Sequence, residues 1–442
     1  MPTSIGTDAR VAVLGFGVEG RAAAAWLAKK GVRHLFVLDR EPPSDRPEGA
    51  SFAPDSDSAV LDRVDLLVRS PGIAPRHPLL VEAFRRGLPV TTGTSLFVEA
   101  VRAQGIPIVG VTGSKGKSTT STILHLVLDE AGIDNLLVGN IGRAALDALD
   151  DVLERRAIVI YEMSSYQTHD LSIGPDVAIV TRLFPEHLDW HGSKESYYLS
   201  KLNIARAQRA SDTTIWNATD PEIAARVPLG PAQQVPYGDE AGIHFARGAF
   251  HRGSERLFDD RDMKLRGLHN RLNACAALAA AEAFGGSAAD LQAVLSRFAG
   301  LPHRLEDVGM HDGIRWINDS ISTAPEAAVA ALEALEDEVA TYIGGGADRG
   351  FDFTPLATAL AARRVPNVIL VPPGGPRMAQ AIEGPSHAAA DLAEAVHLAR
   401  QLTPAGKTVL FSPASPSYGT FRNFEERGAA FRALVMDPRK SR

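Results

Sequence analysis

Short runs of apolar residues alternate along the chain with longer stretches in which apolar residues recur every three or four positions. The run "VAVLGFG" ends in glycines, "RAAAAWLAKKG" follows it as a helix that stops at Gly31, and "HLFVLD" is the next strand. This order of strand, turn, helix and strand is typical of a parallel sheet with helices on its faces. The pattern therefore predicts an α/β fold.

The same alternation begins again near Ile106, with "IPIVGVTG" and "KSTTSTILHLVLDEAG", and once more after "GLPHR". A length of 442 residues also fits about three domains. We predict a Rossmann-like domain over 1–97, a central P-loop ATPase-type domain with a parallel sheet over 98–300, and a second Rossmann-like domain over 301–442. The region 229–262 is predicted to be irregular or a small β insertion, without an assigned role.

The first glycine-rich turn is "GFGVEG", from Gly15 to Gly20, and Asp39 ends the strand that follows its helix. Glycines at this spacing permit a tight turn, and the N-terminus of the next helix favours an anionic phosphate. By itself the motif indicates dinucleotide binding. The alternative is that its glycines serve only the close packing of strand and helix.

The second glycine-rich turn, "GVTGSKGKSTT", ends like a phosphate-binding loop, with Lys117 and Ser118 in the expected places. The lysine can neutralise phosphate charge and the serine hydroxyl can bind Mg²⁺. The usual spacing would require glycine where this chain has Val111. An ordinary turn between strand and helix is the alternative, but it gives no reason for two lysines in the turn.

Further polar residues follow other predicted strands. "YEMSSYQ" contains Glu162 and Ser164, and "FPEHLDWHG" contains His187. Side chains with oxygen ligands beside a nucleotide suit Mg²⁺. The spacing of the histidines and the lack of thiols beside them do not fit a zinc site. Taken alone, Lys201 in "SYYLSKLNIA" is a solvated lysine, and Asn270 in "LRGLHNRLNACAA" is a helix cap or a surface residue.

The charge of the chain limits its partners. The formal net charge is −7, which argues against a general binder of nucleic acids or membrane surfaces. Cys275 is the one cysteine, so no intrachain disulfide can form, and this suits a reducing compartment. No apolar stretch is long enough to span a membrane, and the N-terminus lacks the pattern of a secretory signal. We expect a cytoplasmic monomer.

The ordered set of motifs resembles the Mur ligases, the ATP-dependent amino-acid-adding enzymes of peptidoglycan synthesis. The resemblance extends over essentially the whole chain, through "GVTGSKGKSTT", "VGNIG", "YEMSSYQ", "EHLDWHG", "SKLNIA", "LRGLHNRLNACAA", "GLPHRLE", "WINDS", "GGGADRG" and "SPASPSYGTFRNFEERG". It implies that glutamate is added to UDP-N-acetylmuramoyl-L-alanine through an acyl phosphate, with ATP and Mg²⁺. The first domain would then bind UDP instead of a dinucleotide.

The resemblance also implies site residues. Those for the UDP-sugar are Gly17, Asp39, Arg40, Ser70, Pro71, Gly72, Asn140 and Ser164. Those for ATP are Gly113, Ser114, Lys115, Gly116, Lys117, Ser118, Thr119, Asn270, Arg304 and Asp319. The catalytic set is Lys117, Glu162, His187 and Lys201. The Mg²⁺ ligands are Ser118, Glu162, His187 and Lys201, the last as a carbamate. The glutamate contacts are Arg349, Ser417 and Phe424.

Four positions depart from the more frequent pattern of the family. Lys115 stands where asparagine is common, Ile321 and Arg349 each replace a lysine, and Gly419 stands where aspartate is frequent. They resemble a subgroup with "NDSIST" that attaches L-glutamate, so L-glutamate is favoured and D-glutamate is the alternative.

Three other functions remain open at the level of sequence. An NAD-dependent dehydrogenase would use "GFGVEG" but leaves the second glycine-rich turn unexplained. A UDP-sugar-binding protein without catalysis would not need the four catalytic residues together. A folate polyglutamylating ligase of the same superfamily should lack the UDP-binding domain.

Overall fold

The computed structural model of the chain describes residues 5–43, 45–140, 143–265, 267–335, 338–348 and 350–437. Its packing divides the chain into two compact units, Met1–Phe298 and Ala299–Arg442. The first unit contains a five-stranded and a nine-stranded sheet, and the second contains a six-stranded sheet. The predicted domain limits at 97/98 and 300/301 stay predictions, and helix α3 runs unbroken through residues 97 and 98.

The five-stranded sheet is parallel throughout, in the order β3-β2-β1-β4-β5. Val11 and Val13 of β1 face one core and Ala12 and Leu14 face another, so both sides of this sheet are covered. Coverage on both sides explains the unbroken apolar run in the sequence. Its elements are β1 (Arg10–Leu14), α1 (Val18–Lys29), β2 (His34–Asp39), β3 (Ser51–Pro54), a 3₁₀ helix (Ser58–Arg63), β4 (Leu66–Arg69), α2 (Pro78–Arg85), β5 (Val90–Thr92) and α3 (Gly93–Ala103).

The nine-stranded sheet has the order β14-β13-β12-β11-β10-β9-β6-β8-β7. β6 lies between β8 and β9 in parallel, so the loops that follow these three strands meet at one edge. Its elements are β6 (Ile108–Thr112), α4 (Lys117–Glu130), β7 (Asn135–Gly139), α5 (Ala145–Arg155), β8 (Ile158–Glu162), α6 (Ser165–Thr168), β9 (Val177–Val180), α7 (Leu188–His191), α8 (Lys194–Arg206), β10 (Thr213–Asn217), α9 (Pro221–Ala224), β11 (Gln233–Tyr237), β12 (Ile243–Ala246), β13 (Ala249–Arg252), β14 (Glu255–Asp259), α10 (Leu268–Glu282) and α11 (Ala288–Arg297).

The region 229–262, for which no function was predicted, supplies β11 and the antiparallel extension β12–β14. Phe250 and Phe258 stack across this extension with ring centroids 4.7 Å apart. The extension is therefore part of the packed sheet, and the prediction of a small β insertion is confirmed.

Helix α10 packs against α4, the helix that begins in the second glycine-rich turn. Its buried face consists largely of alanines, which let the two helices approach closely. Cys275 lies on this face and is fully buried, and burial raises the pKa of its thiol.

The sheet of the second unit has the order β15-β16-β20-β17-β18-β19 and is parallel except for β15. β15 and β19 form the two edges of this sheet. Its elements are β15 (Glu306–His311), β16 (Ile314–Asn318), α12 (Pro325–Ala334), β17 (Val339–Gly345), α13 (Thr354–Ala362), β18 (Asn367–Val371), α14 (Gly375–Ala381), β19 (His387–Ala388), α15 (Leu392–Leu402), β20 (Thr408–Phe411) and α16 (Phe424–Met436). None of the helices described in the chain is long and apolar enough to cross a bilayer.

Candidate active site

The second glycine-rich turn joins β6 to α4 and requires glycine at two positions. Gly113 and Gly116 have φ angles of 145° and 92°, in the region that side chains disfavour. A Cβ at Gly113 would lie 2.0 Å from Thr181 Oγ1, and one at Gly116 would lie 2.5 Å from Asn273 Oδ1. Both positions therefore require glycine, because the backbone conformation disfavours a side chain and a Cβ atom would clash with a neighbour.

The loop that follows β9 fixes the shape of this turn. Ser114 donates its backbone N–H to the Arg182 carbonyl at 2.6 Å and its hydroxyl to the Phe184 carbonyl at 2.7 Å. Thr181 Oγ1 donates to the Lys115 carbonyl at 2.7 Å. With Ser118 and Thr119 in the first turn of α4, the arrangement is a preformed cradle at a helix N-terminus, where an anion is favoured.

Two lysine side chains meet at one backbone carbonyl of this loop. Lys117 Nζ and Lys201 Nζ each lie 2.8 Å from the Gly113 carbonyl oxygen, and Lys117 Nζ also donates to the Ser114 carbonyl at 3.2 Å. Lys201 comes from the middle of α8, so its position depends on the packing of α8 against the nine-stranded sheet.

Lys201 is buried, with 2% of its surface exposed, and its Nζ lies 4.8 Å from the centre of the Tyr197 ring. Burial holds the pKa of this amine well below its usual range, and the neighbouring charge of Lys117 lowers it further. The interpretation of Lys201 as a solvated lysine is therefore wrong, because such a residue would keep its amine in water.

Glu162 ends β8 beside the loop and has none of its surface exposed. Asn140 donates to its Oε1 at 3.1 Å, whereas its Oε2 is buried and accepts no hydrogen bond from the described residues. A buried carboxylate oxygen without a donor costs free energy unless a cation or another donor satisfies it.

His187 lies at the N-terminus of α7 with a φ angle of 54°, and its ring centre is 5.1 Å from that of Tyr166. Its neighbour Glu186 forms an ion pair with Lys115 at 3.2 Å and accepts a hydrogen bond from Tyr197 at 3.3 Å. Lys115 thus contacts a carboxylate of the site, a role that the sequence did not suggest.

Within the described ranges, no group of three or more His, Cys, Asp and Glu residues lies close enough to hold a metal ion alone. Mg²⁺ commonly takes only one or two protein carboxylates together with water and substrate phosphates. The buried Oε2 of Glu162, beside the loop that leads to Ser118 in α4, fits such an ion.

One asparagine of α10 lies against the same loop, and a second precedes it by three residues. Asn273 is largely buried, its Oδ1 faces Gly116, and its Nδ2 donates to Asn270 Oδ1 at 3.3 Å. The resemblance implied that Asn270 contacts ATP, but it did not imply a contact for Asn273. The contact with the loop identifies Asn273 as a further site residue, and its i, i+3 spacing from Asn270 was the available signal.

The first glycine-rich turn is closely packed, and its contact with a ligand stays a prediction. A Cβ at Gly20 would lie 2.0 Å from the Gly15 carbonyl oxygen, and Ser70 Oγ donates to that same oxygen at 2.5 Å. Gly17, before the first turn of α1, and Gly72, in the loop after β4, are exposed and can reach a ligand.

Asp39 lies at the end of β2 with its carboxylate turned back to this turn. It accepts the Phe16 N–H at 2.7 Å and the Arg40 N–H at 2.7 Å. Arg40 is exposed, whereas Pro71 beside Ser70 is buried. The contact of Asp39 with uracil stays a prediction, and its observed role is to tie β2 to the glycine turn.

Ser164 caps helix α6. Its hydroxyl accepts the Gln167 N–H at 3.3 Å, and its own N–H donates to Gln167 Oε1 at 2.8 Å. Gln167 also donates to Glu19 of α1 at 2.8 Å, and burial raises the pKa of Glu19. Ser164 therefore organises the junction of the two sheets, and its contact with a substrate stays a prediction.

In the second unit, Asp319 follows β16 and is buried. It accepts Ser322 Oγ at 2.5 Å, Ser412 Oγ at 2.8 Å and the Leu305 N–H at 3.1 Å. Burial raises the pKa of Asp319 to about 6. Its observed hydrogen bonds join three segments, one of which carries Arg304.

Ser417 is buried in the loop after β20, and Phe424 begins α16. Arg427, which the sequence did not single out, joins the surrounding segments: it donates to Ser320 Oγ at 3.1 Å and to the Ser415 carbonyl at 2.9 Å. Burial lowers the pKa of its guanidinium to about 10. Ser320 Oγ also donates to the Phe424 carbonyl at 2.8 Å, so hydrogen bonds within the unit hold the start of α16.

Three of the four departures from the family pattern belong to this unit, whereas Lys115 belongs to the first. Ile321 is half-buried and donates its N–H to the His303 carbonyl at 3.0 Å, whereas Gly419 is exposed with a φ angle of 95°. Arg349, predicted to contact glutamate, lies outside the described residues.

The chain matches models of known protein families over most of its length. Residues 9–92 match the model for the N-terminal domain of MurD-like Mur ligases, 111–281 match the Mur ligase middle domain, and 303–415 match the Mur ligase glutamate ligase domain. The chain belongs to the Mur ligase family. The predictions of the family, of a three-domain α/β fold and of an ATP-dependent ligase are thereby confirmed.

Named relatives of this Mur ligase cover nearly its full length. A UDP-N-acetylmuramoyl-L-alanine–L-glutamate ligase of Salinispora tropica is 41% identical over 97% of both chains. A UDP-N-acetylmuramoylalanine–D-glutamate ligase of Symbiobacterium thermophilum is 36% identical over 96% of this chain and 97% of its own. Among solved structures, the MurF ligase of Thermotoga maritima in complex with ADP shares the fold, with a TM-score of 0.58 at 16% identity and coverages of 98% and 96%.

Proposed function

We propose that this Mur ligase joins glutamate to UDP-N-acetylmuramoyl-L-alanine at the expense of ATP, in the synthesis of peptidoglycan precursors. The observation that carries the proposal is the pair of amines, Lys117 Nζ and Lys201 Nζ, both 2.8 Å from the Gly113 carbonyl beneath the glycine-rich loop. The names of the relatives in Salinispora tropica and Symbiobacterium thermophilum support this substrate pair.

In the first step, a carboxylate oxygen of the L-alanyl group forms a bond to the γ-phosphorus of ATP while the bond to the leaving ADP breaks. Activation is needed because a carboxylate is a poor electrophile at neutral pH. Lys117 offsets charge on the transferring phosphoryl group, and the backbone N–H groups of the loop orient the remaining phosphates.

In the second step, the amine of glutamate attacks the carbonyl carbon of the acyl phosphate. The tetrahedral intermediate collapses, the carbon–oxygen bond to phosphate breaks, and the nitrogen loses a proton to solvent. We assign the recognition of glutamate to Arg349, Ser417 and Phe424 of the second unit.

Mg²⁺ is the cofactor that the site fits, and it would supply positive charge to the phosphoryl oxygens during transfer. Glu162 would hold it through the buried Oε2, with Ser118, His187 and the carbamate of Lys201 as the other protein ligands. The residues of the chain position the reactants around this charge and keep the loop in one conformation.

Lys201 is proposed to carry a carbamate. Its amine nitrogen forms a bond to the carbon of CO₂ and releases one proton, which leaves a carboxylate-like group on the side chain. Two charged amines at one carbonyl oxygen would repel each other, whereas a carbamate beside the ammonium of Lys117 attracts it. The modification thus turns an unfavourable pair of charges into a favourable one.

L-glutamate is the favoured acceptor, with D-glutamate as the alternative. The replacement of a frequent lysine by Ile321 removes a charge near Asp319, whose segment carries the "NDSIST" motif. The relative in Salinispora tropica, named for L-glutamate, also has the higher identity of the two compared.

The dehydrogenase and folate alternatives are less consistent with the chain. A dehydrogenase would leave the preformed second loop without a role. The match of residues 9–92 to a MurD-like N-terminal domain disfavours a folate ligase.

The deciding experiment measures phosphate release with UDP-N-acetylmuramoyl-L-alanine and ATP, in parallel with L- and D-glutamate. We expect kcat/KM at least about tenfold higher for L-glutamate, a difference of about 1.4 kcal/mol in transition-state binding. The opposite preference would establish the alternative acceptor. Absence of release with both would overturn the proposed function.

A further inference from the structure

The guanidinium of Arg69, at the end of β4, is wholly buried and contacts the loop that follows. Its Nη1 donates to the carbonyls of Ser70, Pro71 and Ile73 at 3.3, 3.2 and 2.6 Å. Ser70 and Pro71 are candidate contacts for the UDP-sugar. One side chain therefore sets the direction of three carbonyls in the loop that would receive this substrate.

The same guanidinium also contacts the segment around α6, which joins β8 to β9 of the nine-stranded sheet. Nε donates to Asp170 Oδ2 at 2.7 Å, and Nη2 donates to the Tyr166 carbonyl at 3.2 Å. Arginine presents five donors in a planar fork, whereas the three donors of lysine sit on one nitrogen and cannot reach these separated acceptors together. The fork of Arg69 thus joins β4 to the segment around α6.

From Asp170 the contacts continue to α8. His169 Nε2 lies 3.3 Å from Asp170 Oδ1, and His169 Nδ1 lies 2.9 Å from Ser200 Oγ. Ser200 is buried, and its hydroxyl also bonds the Ser196 carbonyl at 2.7 Å. Because Ser200 directly precedes Lys201, this contact fixes the turn of α8 that bears the catalytic lysine.

A second histidine closes the chain of contacts. The Nδ1 atom of His191 lies 3.2 Å from Ser200 Oγ, and its Nε2 atom lies 3.0 Å from Ser165 Oγ. It is the last residue of α7, which begins directly after the predicted ligand His187. The Arg69 network is the resulting set of six residues: Arg69, Asp170, His169, Ser200, His191 and Ser165.

We propose that Arg69 is a positioning residue that couples binding of the UDP-sugar to binding of ATP, through the Arg69 network. The inference rests on the proposed function, since that function assigns the two ligands to the two ends of the network. A sugar diphosphate that orders the loop after Ser70 also orders the α8 turn with Lys201, next to the nucleotide loop. Coupling of this kind is reciprocal, so each ligand raises the affinity for the other by the same factor.

A matched control lies elsewhere in the same unit. Arg102 also has a buried guanidinium. It pairs with the Asp212 carboxylate at 2.9 Å and donates to the Gly174 carbonyl at 2.5 Å. Asp212 directly precedes β10, so Arg102 lies at the amino ends of the strands, away from the loops of the site. Its loss should weaken the unit without touching the network.

The test uses the full chain and isothermal titration calorimetry with AMPPNP and Mg²⁺, with and without saturating UDP-N-acetylmuramoyl-L-alanine. For the unsubstituted chain and for Arg102→Lys, we expect the sugar to lower the Kd of AMPPNP by at least about fivefold, the lower end of typical couplings. For Arg69→Lys and Ser200→Ala the factor should fall below about twofold. Ser200→Ala should also keep its affinity for the sugar alone, which separates coupling from damage to the sugar site.

Three results would overturn the inference: no coupling in the unsubstituted chain although it binds both ligands, full coupling in Arg69→Lys or Ser200→Ala, or an equal loss in Arg102→Lys. If Arg69→Lys does not fold, Ser200→Ala decides alone, because it removes only a hydroxyl. Failure of the unsubstituted chain to bind the sugar at all would instead reject the proposed function on which the inference depends.

Discussion

Lys117 and Lys201 share one acceptor, since each amine lies 2.8 Å from the carbonyl oxygen of Gly113. Lys117 reaches this oxygen from the first turn of α4, four residues along the chain, whereas Lys201 reaches it from α8, 88 residues away. The shared acceptor places side chains from two helices, α4 and α8, at the same glycine-rich turn. Their chemical roles can be separated by substitution.

Lys117→Ala should lower turnover by at least about a hundredfold and leave the fold intact, because it removes the positive charge that Lys117 is proposed to supply to the transferring phosphate. The measurement is steady-state phosphate release, with circular dichroism as a check on folding. Lys115→Ala is the matched control. The lysine side chain of its ion pair with Glu186 is about half exposed, so the pair contributes about 1 kcal/mol and we expect a change within about tenfold. Turnover of Lys117→Ala within tenfold of the original would contradict the phosphate-loop assignment.

Lys201→Ala should lose activity and recover part of it when acetate or another short carboxylate is added. The small anion would take the place of the carbamate in the space that the buried side chain leaves beside Lys117. Lys201→Arg serves as the control, since its guanidinium fills that space and should not respond to acetate. A direct measurement is ¹³C NMR after exposure to labelled bicarbonate, and an active enzyme without a carbamate signal would refute the modification.

Arg349→Ala should raise the KM for glutamate by about 10- to 150-fold, the loss of one charge-assisted pair of about 1.5–3 kcal/mol. The KM values for ATP and the UDP-sugar should change little. Lys407→Ala, which removes an exposed positive charge before β20, provides a comparison within the same unit. Equal increases for all three substrates would indicate general damage, and no increase would leave Arg349 without a role in binding glutamate.

The second unit should lose stability as the pH rises from about 4 to about 6. Burial raises the pKa of Asp319 to about 6, above its value of about 4 in an unfolded chain. The folded unit therefore favours the protonated acid. That contribution, about 3 kcal/mol, is complete below pH 4 and is lost as pH passes through 6.

The chain contains four tryptophans, and Trp316 lies buried in β16, three residues before Asp319. Incorporation of 5-fluorotryptophan would let the ¹⁹F resonance of Trp316 report urea unfolding of this unit between pH 4 and 7. Asp319→Asn cannot ionise and should flatten the pH dependence over this interval. An unchanged slope in that variant would assign the dependence to another group.

Much of the site could be predicted from the sequence because its parts are local. The strand, the glycines and the lysine of "GVTGSKGKSTT" are neighbours in the chain, and their spacing carries the geometry of a turn at a helix N-terminus. Glu162 could be placed for the same reason, since it ends a short apolar run whose carboxyl end meets that turn.

The Arg69 network could not be predicted, because its contacts depend on packing between distant segments. Arg69 and Asp170 are 101 residues apart, and neither stands in a motif that requires an ion pair. Asp39 shows the opposite difficulty. It has the position of a ligand-binding acid, and its carboxylate also accepts the Phe16 N–H of the adjacent turn. Sequence spacing does not determine how one side chain divides its hydrogen bonds between backbone and ligand.

The burial of Cys275 on α10 has a practical consequence for single-molecule work. Because the chain has no second cysteine and this thiol is fully enclosed, maleimide reagents should leave the native protein unlabelled. Glu154→Cys and Lys407→Cys would then place a donor and an acceptor dye at two exposed positions, one in each unit. Dyes could therefore be attached at these two positions alone, with no need to remove a native thiol first.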